Sequence, residues 1–170
     1  MRKVSVTRRI TQAAIIAALY VVLTMIANGL GLANAAIQVR FSESLCVLPY
    51  FTGAAIPGLT IGCLIANLMT GAAIWDIVFG SLATLIGAVG SYLLRKHKFL
   101  LTLPPVIANM VIVPLVLRYG YGFMWMYQGV DWSIPYFALT VGIGEIISVC
   151  VLGSFLLKML LPYKNVIFER

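Results

Sequence analysis

Three carboxylates and two asparagines stand out because they lie within or beside long apolar segments. Glu145 lies inside the last apolar segment, and Asn109 lies near the middle of the segment before it. Glu43, Asn67 and Asp76 lie close to the ends of apolar segments. Ionisable groups in such surroundings are costly, so a functional role is the default interpretation. Since a carboxylate accepts hydrogen bonds and an asparagine both donates and accepts them, the set predicts a polar pocket that binds a small solute.

Two of these carboxylates have a structural explanation as well. Asp76 would cap a helix that begins near it, because a carboxylate there meets free N–H groups and the positive end of the helix. Glu43 would stabilise the start of its own helix or pair with Arg40. Glu145 has no helix end to cap and no nearby basic residue in the sequence, so a functional role is favoured there.

The elements that position these residues are predicted to be membrane helices. Uncharged runs cover residues 10–39, 44–75 and 99–117, and about 20 apolar residues are enough to cross a bilayer. The chain is 62% hydrophobic and 10% charged, with a mean hydropathy of +1.03, whereas roughly 25% of the residues of a soluble domain are charged. We therefore predict an all-α integral membrane protein with a single transmembrane domain over residues 1–170.

Clustered basic residues predict the orientation of this domain. Ten of the 12 lysine and arginine residues fall in three patches. The patches are Arg2, Lys3, Arg8 and Arg9, then Arg95, Lys96 and Lys98, and then Lys158, Lys164 and Arg170. Basic residues favour the cytoplasmic side of a membrane. Membrane topology therefore explains the net charge of +7, and nucleic acid is not a predicted partner.

Six helices place all three patches, and both termini, on the cytoplasmic side. Turn-forming residues divide the run 44–75 into two helices. The predicted helices cover residues 10–32, 42–52, 55–69, 74–94, 99–117 and 135–161. A five-helix alternative, in which the second and third helices are fused, would place the 95–98 patch and the C-terminal patch outside, against the positive-inside rule.

The first predicted helix carries a stripe of small residues. Ala13 and Ala17 are four residues apart, as are Ala14 and Ala18, so each pair shares one helix face and lets another helix approach closely. A similar stripe recurs at Ala83, Gly87 and Ser91. Internal packing explains such stripes, and the alternative for the first helix is docking of a separate membrane subunit.

The loop predicted outside the membrane, residues 119–132, is rich in aromatic residues. It is either an interfacial aromatic belt or a lid over an outward-facing pocket, and the two interpretations are compatible.

Sequence motifs for catalysis, metal binding or nucleotide binding are missing from the chain. It has no G-x-x-x-x-G-K-[ST] motif, and its one histidine, His97, lies in a basic loop. No serine or cysteine lies near a plausible base in the sequence. We predict no enzyme activity, no catalytic residues, no metal site and no cofactor.

Three segments resemble the QueT family of queuosine-precursor transporters. They are Q-V-R-F-S-E-S-L-C-V-L-P-Y-F at 38–51, A-I-P-G-L at 55–59 and W-D-I-V-F-G-S-L-A-T-L at 75–85. Members of the family are substrate-capture (S) components of energy-coupling factor (ECF) uptake systems. The resemblance implies a six-helix bundle in the bacterial cytoplasmic membrane, whose alanine-rich first helix docks on a transmembrane coupling subunit. Two cytosolic ATPase subunits would complete the transporter.

The resemblance also implies a 7-deazaguanine substrate, such as 7-aminomethyl-7-deazaguanine, 7-cyano-7-deazaguanine or queuine. A carboxylate would accept the ring N–H and the exocyclic amine of the base, and an asparagine would pair with its carbonyl. The predicted substrate-binding residues are Glu43, Asn67, Asp76, Glu145, Asn109, Arg40 and Trp75. The predicted docking residues are Ala13, Ala14, Ala17 and Ala18. Two alternatives are an S component for another vitamin-like heterocycle and a structural or regulatory membrane subunit that binds no ligand.

Overall fold

The computed structural model describes residues 5–32 and 38–168, and the regular secondary structure of this part of the chain is helical apart from one short β-ribbon. Within it, four helical segments are long and apolar enough to cross a membrane. They are Val6–Gly29, Ile74–Leu93, Leu100–Gly120 and Ser133–Ile167. The predicted all-α membrane fold is confirmed. Arg2, Lys3 and Arg170 of the predicted basic patches lie outside the described residues.

Recognisable local signals mark the start of α1 and the end of α2. Helix α1, Val6–Gly29, begins after Ser5, whose hydroxyl accepts a hydrogen bond from the backbone N–H of Arg8 (3.3 Å). It therefore starts four residues before the predicted residue 10. Helix α2, Ala55–Met69, is capped at its C-terminal end by Thr70, and Gly71 follows in the left-handed region (φ 70°). Helix α3 covers Ile74–Leu93.

The segment predicted as a second α-helix over residues 42–52 is a 3-10 helix, Phe41–Tyr50. Such a helix rises about 2.0 Å per residue, so ten residues span about 20 Å, compared with about 15 Å in an α-helix. The longer rise lets a short segment run from the middle of the bundle to one end. Pro49 lies inside it and has no N–H to contribute to an α-helical hydrogen bond.

The last two spans contain irregular turns. The first consists of a 3-10 turn, helix α4 and a π-helical turn, at Leu100–Thr102, Leu103–Leu115 and Val116–Gly120. The second consists of α5, a π-helix and α6, at Ser133–Glu145, Ile146–Gly153 and Ser154–Leu160. It ends with a 3-10 turn, Leu161–Tyr163, and α7, Lys164–Ile167. Both spans therefore extend beyond the predicted 99–117 and 135–161.

Between these spans the aromatic loop forms a two-stranded ribbon. Strand β1, Met126–Tyr127, pairs with the antiparallel strand β2, Val130–Asp131. Gln128 and Gly129 connect them with φ values of 49° and 80°, as a tight hairpin with two left-handed residues requires.

Close contacts between glycines and their neighbours hold α1 against α2. A Cβ atom added at Gly62 would lie 2.7 Å from the Cβ of Tyr20 and 3.0 Å from the backbone of Ala17. At Gly58 it would lie 2.8 Å from the carbonyl oxygen of Ala13. A larger side chain at either glycine would therefore force the two helices apart.

The chain from Gln38 to the end of the 3-10 helix packs against the last span in the same way. A Cβ atom at Gly144 would lie 2.1 Å from the carbonyl oxygen of Gln38, and one at Gly153 would lie 2.8 Å from Val47. Between these glycines, the hydroxyl of Ser148 accepts a hydrogen bond from the backbone N–H of Arg40 (3.2 Å). Residues 38–50 thus fill the centre of the bundle.

Both ends of the described chain meet at one end of the bundle. The guanidinium of Arg8 and the side-chain amide of Gln12 donate hydrogen bonds to the carbonyl oxygen of Ile167 (3.0 and 3.3 Å). Phe168 stacks on Phe51 at the end of the 3-10 helix, with 4.8 Å between ring centroids. The β-hairpin lies at the opposite end, because it joins the far ends of the last two spans.

The predicted orientation can be tested with cysteines at the two ends of the bundle. Gln128 at the tip of the hairpin and His97 in the basic loop are both exposed. In a variant that lacks the three native cysteines, an impermeant thiol reagent added to intact cells should label Gln128→Cys and leave His97→Cys unlabelled. Permeabilised cells provide the control, in which both variants should react. Labelling of His97→Cys alone in intact cells would reverse the orientation.

Candidate substrate-binding site

Glu43 lies in the first turn of the 3-10 helix and is 1% exposed. Tyr20, which is buried in the middle of α1, donates a hydrogen bond from its hydroxyl to Oε1. Cys46 lies one 3-10 turn after Glu43, on the same face of the helix, and its thiol contacts Oε2 at 3.1 Å. Both oxygens of Glu43 therefore have protein partners. The alternative of a direct ion pair with Arg40 is not realised in the described part of the chain.

Glu145 is the last residue of α5, at the point where the α-helix changes into a π-helix. Such π-helical turns are often found at functional sites. Its side chain is buried and interacts with the side-chain amide of Asn109 of α4. Its second oxygen, Oε2, is buried and has no partner among the described residues. This oxygen is an acceptor that the protein leaves unused.

Asp76 is the third residue of α3 and is buried together with Asn67 of α2. The amide of Asn67 donates to the backbone carbonyl of Asp76 (3.2 Å). Oδ1 of Asp76 is buried without a partner among the described residues. The capping role considered from the sequence is not observed, because no backbone N–H of α3 donates to this carboxylate in the described structure. Glycine at position 80 leaves space here, since a Cβ atom there would lie 3.0 Å from Oδ1.

Arg40 joins these carboxylates into one cluster. Its side chain is half-buried, and its guanidinium interacts electrostatically with Asp76, Glu43 and Glu145. The three carboxylates therefore interact with one guanidinium at longer range, and none of them forms an ion pair with it among the described residues. We call this set, with its two amides, the polar cluster: Arg40, Glu43, Asn67, Asp76, Asn109 and Glu145.

Trp75 is the predicted substrate-binding residue that the structure does not bring to the polar cluster. Its side chain is 54% exposed and stacks on Phe79, with 6.2 Å between ring centroids. Consecutive residues of an α-helix point about 100° apart. Trp75 therefore faces the surface, whereas its neighbour Asp76 faces the interior.

The structure adds two tyrosines that the sequence did not single out. Tyr20 contacts Glu43 as described above, and the hydroxyl of Tyr121 donates to Oδ2 of Asp76 (3.2 Å). Tyr20 has a hydroxyl in the middle of an apolar run, which is the signal that sequence reasoning missed. Tyr121 lies in a loop with several aromatic residues, and nothing in the sequence distinguishes it from the others.

The loop of residues 119–132 is held together by its own polar contacts. Asp131 accepts hydrogen bonds from the hydroxyl and the backbone N–H of Ser133 and from Arg118. These contacts, those of Ser133 first, lower the pKa of Asp131 to about 2. Ser133 in turn accepts a hydrogen bond from the backbone N–H of Trp125 (2.7 Å). The ribbon is thereby attached to the ends of both neighbouring spans.

An apolar groove of about 1240 Å³ lies along α1 and is also lined by residues of α2. The four alanines predicted to dock a partner all line it. Ala14 and Ala18 are exposed, whereas Ala17 is 9% exposed and packs against Gly62. The stripe at Ala83, Gly87 and Ser91 is buried inside the bundle, so it serves internal packing.

The polar cluster offers hydrogen-bond acceptors and donors to a ligand. Among the described residues, no three histidine, cysteine, aspartate or glutamate side chains are placed so that they could hold a metal ion. Oδ1 of Asp76 and Oε2 of Glu145 are acceptors without donors. A buried acceptor without a donor is costly, and an N–H group of a bound molecule would remove that cost.

Comparisons with known proteins identify the family. The family model described as QueT transporter matches residues 10–162, which confirms the resemblance. A curated protein from Lactococcus lactis subsp. cremoris (strain MG1363), named Queuosine precursor transporter QueT, is 39% identical over 84 residues. This match covers 49% of each chain, so the chain spans about half the length of that relative. No solved structure matches the chain significantly.

The contact between Tyr20 and Glu43 can be tested by removing one hydroxyl. Tyr20→Phe leaves a buried carboxylate oxygen without its donor, and we expect it to lower the free energy of unfolding by about 1–3 kcal/mol. Denaturation of the purified protein in detergent measures the change. Tyr50→Phe is the control, because the structure gives the hydroxyl of Tyr50 no hydrogen bond among the described residues. Equal stability of the two variants would show that the contact contributes nothing.

Proposed function

The chain belongs to the QueT transporter family, and from this membership we propose that it captures a queuosine precursor as the S component of an ATP-driven ECF transporter. The name of the Lactococcus lactis relative supports this substrate class. The proposed substrate is a 7-deazaguanine, such as 7-aminomethyl- or 7-cyano-7-deazaguanine, or queuine. We propose binding and transport without covalent chemistry by this chain.

The observation that carries the proposal is the pair of buried carboxylate oxygens that lack donors. The edge of a guanine-like base presents a ring N–H next to an exocyclic amine, and carboxylate oxygens accept hydrogen bonds from such donors. Asp76 and Glu145 each have one free buried oxygen, Oδ1 and Oε2 respectively, so each is a preferred contact for one N–H group of the base edge. Glu43 is less suited, because Tyr20 and Cys46 already occupy its oxygens.

The other members of the polar cluster complement the rest of the base. Arg40 and the amides of Asn67 and Asn109 are donors for a ring carbonyl or ring nitrogen. The excess of carboxylates over guanidinium groups favours a ligand that is rich in donors. A structural role for the acids is supported at Glu43, whose partners lie on α1 and on its own helix.

Energy for uptake would come from other subunits. We propose that the chain lies in the bacterial cytoplasmic membrane with both termini inside, where a transmembrane coupling subunit and two ATPase subunits complete the transporter. The groove along α1 supports this proposal, because it continues to Arg9 and Phe168 at the end of the bundle where the described chain begins and ends. Its exposed alanines would let a partner helix approach closely.

Substitutions at the two free carboxylates test the proposed substrate site. Asp76→Asn and Glu145→Gln each replace one acceptor oxygen by a donor, so we expect a loss of affinity of about 5- to 150-fold, equivalent to about 1–3 kcal/mol. Calorimetric titration with the two 7-deazaguanines and queuine measures it. His97→Gln, in the exposed basic loop at the other end of the bundle, is the control and should bind as wild type does. Unchanged affinity in both cluster variants would exclude these contacts, and failure of wild type to bind any of the three would favour a subunit without a ligand.

Substitutions on α1 test the docking surface. Ala14→Leu and Ala18→Leu add bulk to exposed positions of the groove, so we expect them to abolish uptake by cells and leave ligand binding to the isolated protein unchanged. Ile15→Phe, at an exposed position outside the groove lining, is the control and should transport normally. Ala17→Leu should instead impair folding, because it would clash with Gly62. Normal uptake by the Ala14 and Ala18 variants would contradict docking at this face.

A further inference from the structure

We propose that Tyr121 fastens the outer loop over the polar cluster through its hydrogen bond to Asp76, and thereby sets how slowly a bound ligand leaves. This inference rests on the proposed function, since it concerns the same site. Tyr121 acts as a positioning residue, because it reaches the ligand through Asp76.

The contact joins two separate parts of the chain. The hydroxyl of Tyr121 donates to Oδ2 of Asp76 (3.2 Å) and accepts a hydrogen bond from the backbone N–H of Ala73 (3.0 Å). Ala73 is the residue that precedes α3. The hydroxyl of Tyr121, at the start of the loop, thus makes two hydrogen bonds to the start of α3, one as donor and one as acceptor.

Tyr121 is singled out by its position within the loop. Its backbone N–H donates to the carbonyl of Val116 at the π-helical turn (3.1 Å), and its ring stacks on Phe123, with 5.6 Å between centroids. Among loop residues 119–132, it is the one whose side chain hydrogen-bonds to the polar cluster in the described structure. The neighbouring Tyr119 is 72% exposed.

The two oxygens of Asp76 then have different roles. Oδ2 is committed to Tyr121, while Oδ1 lies in the interior near the amide of Asn67 and remains free. A ligand that donates to Oδ1 and the tyrosine that donates to Oδ2 bind the same carboxylate, and each limits its rotation for the other. Because such coupling is reciprocal, a bound ligand strengthens the attachment of the loop, and the attached loop retains the ligand.

The first test measures ligand kinetics in the whole purified chain. With 7-aminomethyl-7-deazaguanine as the probe, Tyr121→Phe should raise the dissociation rate about tenfold, as expected for the loss of a hydrogen bond to a charged group, without lowering the association rate. Tyr119→Phe is the matched control and should show wild-type rates. The Phe variant retains the ring that stacks on Phe123. A variant that was merely misfolded would instead bind less probe. Wild-type dissociation from Tyr121→Phe would overturn the proposal.

The second test needs no ligand and uses a native cysteine. Cys63 is 1% exposed and lies beside Asn67, whose amide contacts its sulfur at 3.7 Å. In a chain with Cys46→Ser and Cys150→Ala, a water-soluble thiol reagent should label Cys63 several times faster when Tyr121→Phe is added, and no faster with Tyr119→Phe. Equal labelling rates would overturn the proposal.

The two tests separate this inference from the proposed function. If wild type binds none of the 7-deazaguanines, the proposed substrate is wrong, and the labelling of Cys63 still decides whether Tyr121 closes the loop. Tyr121→Leu, which removes both the ring and the hydroxyl, provides a second variant for the labelling test and should also label faster.

Discussion

The buried hydrogen bond from Tyr20 to Glu43 is the contact on which the interior of the bundle depends. A carboxylate can be buried at acceptable cost only when its oxygens have donors, and Tyr20 and Cys46 supply them. The bond attaches the 3-10 helix to α1, which Gly58 and Gly62 in turn hold against α2. On its other side, the same segment contacts Gly144 and Gly153 of the last span. Residues 38–50 therefore connect α1 with the last span, which carries Glu145.

This arrangement divides the carboxylates by role. Glu43 is satisfied by the protein and stabilises the bundle, whereas Asp76 and Glu145 each retain a buried oxygen without a donor. A buried oxygen without a donor lowers the stability of the fold unless a ligand donates a hydrogen bond to it. A binding site can keep such oxygens, whereas a packed core has its buried polar groups paired. Helix α1 contributes to the polar cluster and to the groove. Tyr20 contacts Glu43 of the cluster, while Ala14 and Ala18 line the groove. A partner bound in the groove would therefore contact the same helix that positions Glu43.

The sequence by itself determined the features that depend on local composition and on charge. Long uncharged runs predict an all-α membrane protein because each run is long enough to span a bilayer. The motifs at 38–51 and 75–85 indicated the family that the comparison then confirmed. The sequence also indicated all six residues of the polar cluster, because polar side chains within or beside apolar segments are rare enough to be recognised individually.

Only the tertiary structure decided how those residues pair and which faces they occupy. Phe41–Tyr50 packs between α1 and the last span as a 3-10 helix, and its apolar pattern did not distinguish it from an α-helix. Trp75 was grouped with Asp76 by its motif, but helix geometry turns its side chain to the surface. Ala14 and Ala17 look alike in the sequence, and only Gly62 makes one of them internal. The bonds from Tyr20 and Tyr121 join residues 23 and 45 positions apart, and such contacts exist only after the chain has folded.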